Sequence, residues 1–525
     1  MPSLIPLPII VEWTGEECLL TERTTIGGPA GAGPEVTEAV QAARLVLSGA
    51  TNLPLTVTDD PDIVVAVDTD LPAEGYRLEV RPEGVAVTAA DRRGALWAAQ
   101  TLLQLGPDDI YAAPLGVPVT VATARIEDAP RFARRGAMLD SARHFLQVAE
   151  VIDFVEWMAR HKLNVLHWHL TDDQGWRVAS DRYPLLAEKA SWRSKTSNRV
   201  WGDDGTPHGG YYTMGQIATV AEYARQRGIE IVPELDFPGH ATAVLAAYPG
   251  FATDPGAVTG VAHYPQIFEN VLNFSSESLD FVHDIWSELL ETTGARYAHI
   301  GGDEVPTAQW EASEEVAQRA AEFGVGDVKS IQRWFTLHMR DWLTQRGVTP
   351  IGWDEVIDEG AVPGMVCQAW RGAEYGVKAA AQGMDVIMSP TSHTYLDFYQ
   401  SELRGEPYAQ GEVTTLEQVY GFDPVKGVPP EDAARVLGTQ FQLWSEFLPT
   451  YRAVQYAAWP RGCALAEVAW SPRGTCDFAG FTSRLEGHLR RFDVAGLNYR
   501  PLAGPHPWQE GGTGWRRRPP EEQDR

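Results

Sequence analysis

The feature that most constrains the fold is a rhythm running from about residue 128 to residue 500. Short apolar runs that end in polar residues alternate there with stretches of helical periodicity. Eight runs stand out: 136–140, 164–169, 229–234, 297–303, 349–353, 365–370, 385–388 and 438–444. Between them lie helix-like segments such as 148–160, 217–227 and 328–346. A strand covered on both faces reads as a continuous apolar run, and a crossover helix follows each one. Eight such units over about 370 residues predict an α/β fold, a (β/α)8 barrel with long insertions. The rhythm alone also permits an open doubly wound sheet, but no GxGxxG follows a first strand.

The first 127 residues have a different texture and predict a small accessory α+β domain. Residues 54–58 and 62–67 are strand-like. Residues 76–80 alternate, turn at Pro82-Glu83-Gly84 and resume over 85–88, a hairpin signal. Asp91 then precedes an apolar helical run that ends at Gly106-Pro107. No acid–base pair or ligand cluster occurs in this part. The chain thus divides into 1–127, a barrel over 128–503, and a tail over 504–525. That tail, with Arg516-Arg517-Arg518 and two prolines, reads as disordered.

Charge and composition exclude several classes. Lys plus Arg is 43 and Asp plus Glu is 71, giving a net charge of −28. Such a surface repels phosphate backbones, so nucleic acid is not an expected partner. No run of about 20 apolar residues exists, so no membrane-spanning helix is expected. The N-terminal MPSLIPLPII has no basic residue before its short apolar run and two prolines within that run. It does not read as a secretory signal, which predicts a cytoplasmic protein unless a leader precedes this sequence. Four scattered cysteines with no CxxC pair suit neither a disulfide scaffold nor a structural zinc site.

In a (β/α)8 barrel the chemistry sits at the C-terminal ends of the strands. Those ends carry Asp140 and Arg143; His169, Asp172 and Asp173; Glu234, Asp236 and His240; Asp303 and Glu304; Trp353, Asp354 and Glu355; Trp370 and Arg371; and Trp444 with Glu446. A rim of acids and indoles suits a sugar. Carboxylates bind hydroxyls and protonate a glycosidic oxygen, while indole faces stack on the apolar side of a pyranose. Asp303 and Glu304 follow two glycines, which let the backbone bend and expose both carboxylates. Side chains of adjacent residues diverge, so this pair does not straddle one bond as the usual two-carboxylate machinery does. His167 and His169 share a strand face and offer an HxH metal pair, but no further His and Lys set completes a metal site, and the pair is expected to belong to the second strand and support Asp172. No metal or other cofactor is expected.

The segment His299-Ile-Gly-Gly-Asp303-Glu304 resembles the signature of glycoside hydrolase family 20, the β-N-acetylhexosaminidases. Other segments agree in order along the barrel. They are Arg135 to Phe145, His167-Trp-His-Leu-Thr-Asp172-Asp173-Gln174-Gly175-Trp176-Arg177, Pro233-Glu-Leu-Asp236-Phe-Pro-Gly-His240, Gly352-Trp353-Asp-Glu355 and Leu443-Trp444-Ser-Glu446. The N-terminal segment also looks like the small domain these enzymes carry. The resemblance implies an exo-acting hydrolase of terminal β-linked N-acetylglucosamine or N-acetylgalactosamine, in which the substrate's own acetamide is the nucleophile. It makes Glu304 the general acid and base. Asp303 would pair with the acetamido nitrogen and Tyr395 would hold the acetamido oxygen. Trp353, Trp370 and Trp444 would wall the acetamido pocket. Arg143, Asp397 and Glu446 would bind the sugar hydroxyls. Asp172, Asp236 and His240 would form a network behind the acid.

Three other readings stand beside it: a family relative that releases a disaccharide, a non-catalytic sugar-binding barrel, and a metal-dependent amidohydrolase. The long loops over 191–214 and 390–430 are expected to cover the site. Nothing in the residues bears on oligomeric state.

Overall fold

The computed structural model describes residues 2–112, 116–198, 202–475 and 477–512. The N-terminal part is a seven-stranded sheet. Its strands lie side by side in the order Ile10–Leu20, Val119–Asp128, Tyr76–Arg81, Gly84–Ala89, Ile63–Val67, Thr25–Gly27, Thr56–Val57. The predicted hairpin is present, with Val80 opposite Val85 and Leu78 opposite Val87. These four are buried under the helices Pro34–Thr51 and Arg92–Gln104, while Arg77 and Arg81 face water. Asp91 caps the second helix, its Oδ1 accepting the Gly94 N–H at 2.9 Å; such a cap is worth about 1 kcal/mol. The strand expected over 54–58 shrinks to Thr56–Val57, an exposed edge paired only with Thr25–Gly27.

The barrel follows. Its strands are β1 (Arg134–Asp140), β2 (Val165–His169), β3 (Glu230–Glu234), β4 (Tyr297–His299), β5 (Thr349–Trp353), β6 (Val366–Ala369), β7 (Asp385–Met388) and β8 (Val436–Leu443). All eight are parallel, and β8 closes on β1 with Gly438 opposite Arg134 and Leu443 opposite Leu139. Each of the eight apolar runs is a strand. The fourth is shorter than the run suggested: pairing stops at His299, because Gly301 and Gly302 take φ of 65° and 96° and turn the chain aside.

Alternation along the strands sorts the interior into layers. Val165, Val232, Ile351, Val366 and Ile387 form an apolar plug inside the barrel. Two residues further along the same strands come His167, Glu234, Trp353 and Gln368, all buried. The outward neighbours Leu166, Trp168, Leu139 and Phe441 pack into the main core beneath the helices.

The N-terminal domain is locked to the foot of the barrel by buried charge. Arg135 Nη2 reaches Glu74 Oε2 at 2.5 Å, and Trp97 and Asn164 donate to the same carboxylate. Lys162 Nζ lies 2.8 Å from Asp128 Oδ2. Removing one partner of such a pair strands a buried charge, at a cost of about 3–5 kcal/mol. The tail departs in part from expectation. Pro507–Gly512 is a short helix, anchored by Gln509 Nε2 donating to Tyr499 O at 2.7 Å. Residues 513–525, including the arginine triplet, lie outside the described residues. Among the described residues no helix is long and apolar enough to cross a membrane.

Candidate active site

At the C-terminal mouth of the barrel lies a pocket of about 210 Å³. Its lining includes Arg143, His240, Asp303, Glu304, Trp353, Trp370, Tyr395, Asp397, Trp444 and Glu446. Ten of the twelve sequence-predicted site residues therefore meet in one cavity. The other two, Asp172 and Asp236, stand directly behind it, buried against His240 and the turn that carries Asp303.

That turn explains how two neighbouring acids reach the same site. Asp236 Oδ1 accepts the Gly302 N–H at 2.9 Å. A Cβ on Gly301 would lie 1.7 Å from the same oxygen, so only glycine fits. Glu304 takes φ 51° and His240 takes φ 44°, left-handed values that cost about 1–3 kcal/mol each in a non-glycine residue and cluster at functional sites. The result is a division of depth. The Asp303 side chain is 14% exposed, Glu304 35%. His240 Nε2 sits between them, 3.8 Å from Asp303 Oδ2 and 3.7 Å from Glu304 Oε2.

The charges behind the pocket alternate in sign. Burial alone would raise the Asp172 carboxyl, but Arg143 and His240 hold it well below the usual carboxylate range. Burial would likewise strip His240 of its proton, yet Asp172 and Asp173, facing its Nδ1 at 3.3 and 3.2 Å, keep it charged. Arg143 Nη2 lies 2.7 Å from Asp172 Oδ2, its Nη1 3.1 Å from Asp140 Oδ2, and its Nε donates to Gln174 Oε1 at 3.1 Å. Asp303 and Asp236 are pushed the other way. Burial first, then nearby carboxylates, raises both: Asp303 and Glu234 act on Asp236, Glu234 and Glu304 act on Asp303, and Asp303 Oδ1 has no hydrogen-bond partner. Asp397 is raised by burial and by Glu446, and its Oδ1 also has no partner. Buried oxygens left this way are binding positions for donors from a ligand.

Three indoles wall the pocket. Trp353 and Trp444 have centroids 5.7 Å apart, and Trp370 stacks at 26° to Tyr395 with 6.4 Å between centroids. Each is fixed by something polar. Trp353 Nε1 donates to Glu234 Oε1 at 2.9 Å, Trp370 Nε1 donates to Glu355 Oε2 at 3.1 Å, and Arg143 sits 4.9 Å over the Trp444 ring. Burial and nearby carboxylates push the Tyr395 hydroxyl well above its ordinary value, so it remains a hydrogen-bond donor. Above the rim the pocket opens into a recess of about 1100 Å³ that shares Arg143, His240, Glu304 and Glu446 with it. Residues of both long loops line this recess, Lys195, Ser197, Asn198, Gly202 and Asp203 from one and Tyr399, Tyr408, Ala409, Gln410 and Gly411 from the other, joined by Tyr264 to Ile267.

The glycosyl hydrolase family 20 catalytic domain matches residues 132–473, and the family's domain 2 matches residues 1–129. The chain belongs to glycosyl hydrolase family 20. A β-hexosaminidase of Porphyromonas gingivalis is 36% identical over 97% of this chain, which spans 65% of that protein's length. A β-N-acetylhexosaminidase of Cellulomonas fimi is 33% identical, covering 95% of each chain. The family 20 exo-β-N-acetylglucosaminidase of Vibrio harveyi, solved in complex with N-acetylglucosamine, superposes with a TM-score of 0.84 at 30% identity, over 95% of this chain and 78% of that one.

Family 20 motifs pointed to the pocket walls but left several supporting groups without a role. Glu234, Glu355, Gln174 and Asp173 all hold predicted site residues by direct hydrogen bonds or ion pairs. Each lies within a quoted motif, and only the fold shows which way it points. His169, not His167, supports Asp172, its Nε2 2.9 Å from Asp172 Oδ2, while His167 Nε2 faces Glu234. Ligand-type atoms of His167, Glu234 and His299, and of His240, Asp303 and Glu304, lie within 4.8 Å of one another, close enough to surround a cation.

Proposed function

We propose that this family 20 hydrolase is an exo-acting β-N-acetylhexosaminidase. It removes terminal non-reducing β-linked N-acetylglucosamine and N-acetylgalactosamine with retained configuration. The observation that carries this reading is the unequal depth of two adjacent acids inside an indole box: Asp303 beside Tyr395 at the floor, Glu304 at the rim.

The chemistry follows from the placement. The acetamido group enters between Trp353, Trp370 and Trp444, which exclude water and hold its oxygen under C1. The oxygen attacks C1 as the glycosidic C–O bond breaks, and Glu304 gives its proton to the leaving oxygen. As positive charge develops on the acetamide, Asp303 accepts its N–H and Tyr395 donates to its oxygen, both pre-placed to act in the transition state. The aglycone departs into the recess. Glu304, now a carboxylate, takes a proton from water, which opens the oxazolinium ring at C1 and restores both the acetamide and the acid. Two inversions retain the configuration. Arg143, Asp397 and Glu446 bind the sugar hydroxyls and select the terminal residue.

The pocket's size supports a single bound ring below the rim and argues against a disaccharide-releasing relative. The intact Asp303, Glu304 and Tyr395 argue against a merely sugar-binding barrel. The names of the relatives and the N-acetylglucosamine bound to the Vibrio harveyi enzyme support the acetamido sugar. Comparing nitrophenyl β-N-acetylglucosaminide, β-N-acetylgalactosaminide, β-glucoside and lacto-N-bioside tests the reading. The first two should be hydrolysed and the last two should not. Preferred release of the disaccharide would overturn it.

A further inference from the structure

One carboxylate in the barrel lies outside the sugar pocket yet touches both halves of the machinery around it. Glu234 ends β3 and has no exposed surface. Its ion-pair partners among the described residues are all histidines: His169 Nδ1 at 2.5 Å and His167 Nε2 at 2.9 Å from Oε2, and His299 Nδ1 at 3.1 Å from Oε1. Oε1 also accepts the Trp353 indole N–H at 2.9 Å, which fixes one wall of the acetamido pocket. Through Oε2 the path runs the other way. His169 Nε2 is 2.9 Å from Asp172 Oδ2, and Asp172 holds both Arg143 Nη2, at 2.7 Å, and His240 Nδ1, at 3.3 Å.

We infer that Glu234 is a positioning residue for the reaction, setting the acetamide wall with one oxygen and, through His169, the hydroxyl-binding arginine and the histidine behind the acid with the other. The inference rests on the hexosaminidase reading for what these groups do, but the geometry stands without it. The middle member must carry two protons. His169 lies between two carboxylates, which are acceptors only when ionised, so it donates through both nitrogens. Burial opposes that charge, while Glu234, Asp172 and Asp140 sustain it. The other titratable or charged groups facing this pair include His167 and His299, across Glu234, Arg143 and His240, beyond Asp172, and the buried carboxyls of Asp236 and Asp303, whose charges act on Glu234 and, for Asp236, on His169. Glu234 is itself held ionised: burial would raise it, and the three histidines pull it well below the carboxylate range.

Glu234→Gln separates positioning from mere support. The amide presents one acceptor and one donor, so either Trp353 or His169 loses its acceptor, and His169 loses the charge that keeps it doubly protonated. The expected loss of kcat/KM grows with pH, by roughly tenfold per unit above the new His169 value, so that it is far larger near pH 8 than near pH 5. Nitrogen-15 NMR of the histidine rings reads the same change without any turnover. His169 should be doubly protonated at neutral pH in the natural enzyme and singly protonated in the variant. Trp353→Phe serves as the second variant, removing the indole donor to Oε1 and leaving His299 and the Oε2 partners in place. It should raise KM for acetamido substrates and leave His169 doubly protonated. If Glu234→Gln does not fold, the natural enzyme alone decides: a neutral His169 at pH 7 overturns the inference. So does a loss of activity equal at all pH with His169 still doubly protonated. Failure of the hexosaminidase reading would show instead as an inactive natural enzyme with the predicted His169 signal.

Discussion

His240 holds its Nε2 3.7 Å from Oε2 of Glu304, with its Nδ1 turned to Asp172 and Asp173. A cation is thus fixed behind Glu304 by two carboxylates that do not line the pocket. In the proposed reaction it would stabilise Glu304 when Glu304 is ionised, the state left after the proton has gone to the leaving group. His240→Asn should lower kcat/KM by about 10²-fold, the scale of losing one preorganised electrostatic contact, with the fold retained. Initial rates and circular dichroism check this; an unchanged rate would remove His240 from the machinery.

Glu304→Gln should hit poor leaving groups hardest. Protonating the leaving oxygen is worth about 10²–10⁴-fold, and an activated aryl leaving group needs little of it. The check is a Brønsted plot over substituted phenyl glycosides for both enzymes. Equal losses across the series would take the proton-donor role from Glu304.

In the proposed mechanism Asp303→Asn and Tyr395→Phe remove contacts that strengthen as charge develops on the acetamide. Each should lower kcat more than it raises KM, with kcat losses of about 10²–10³-fold. Steady-state kinetics with N-acetylglucosaminides read the split. A rise in KM at constant kcat would make them ground-state binders.

Glu355 makes a prediction about stability. Burial, then the Asp303 and Asp354 charges, pushes its carboxyl up to about 8. The unfolded chain releases that proton near the ordinary glutamate value of about 4.3. Between these values the folded state binds more protons, so stability falls as pH rises, by up to about 1.4 kcal/mol per unit. Glu355→Gln should flatten this slope between about pH 5 and pH 8 in urea unfolding. Identical slopes in the two proteins would contradict it.

The eight strands were legible because each is covered on both faces and so reads as a short apolar run. The site was legible because its groups follow those runs directly, as His169, Glu234 and Trp353 do at the very ends of β2, β3 and β5. The end of β4 was misjudged by four residues (303 against 299), since Ile300 to Asp303 looks extended until Gly301 is seen packed against Asp236. Glu234 and Glu355 gained no role from the sequence because their partners, His169 and Trp370, come from other strands or loops. The recess was beyond reach for the same reason. Tyr264 is placed by its carbonyl accepting from Gln174, ninety positions away.

In the proposed mechanism the substrate's acetamide oxygen, and not a protein carboxylate, attacks C1. Replacing the N-acetyl group by its mono-, di- and trifluoro analogues weakens that oxygen stepwise while leaving the leaving group unchanged. Log kcat/KM should fall steeply and linearly with fluorine number, reaching negligible turnover for the trifluoroacetyl substrate. A flat series, with the trifluoro substrate hydrolysed about as fast as the acetyl one, would mean that the acetamide takes no part in bond making.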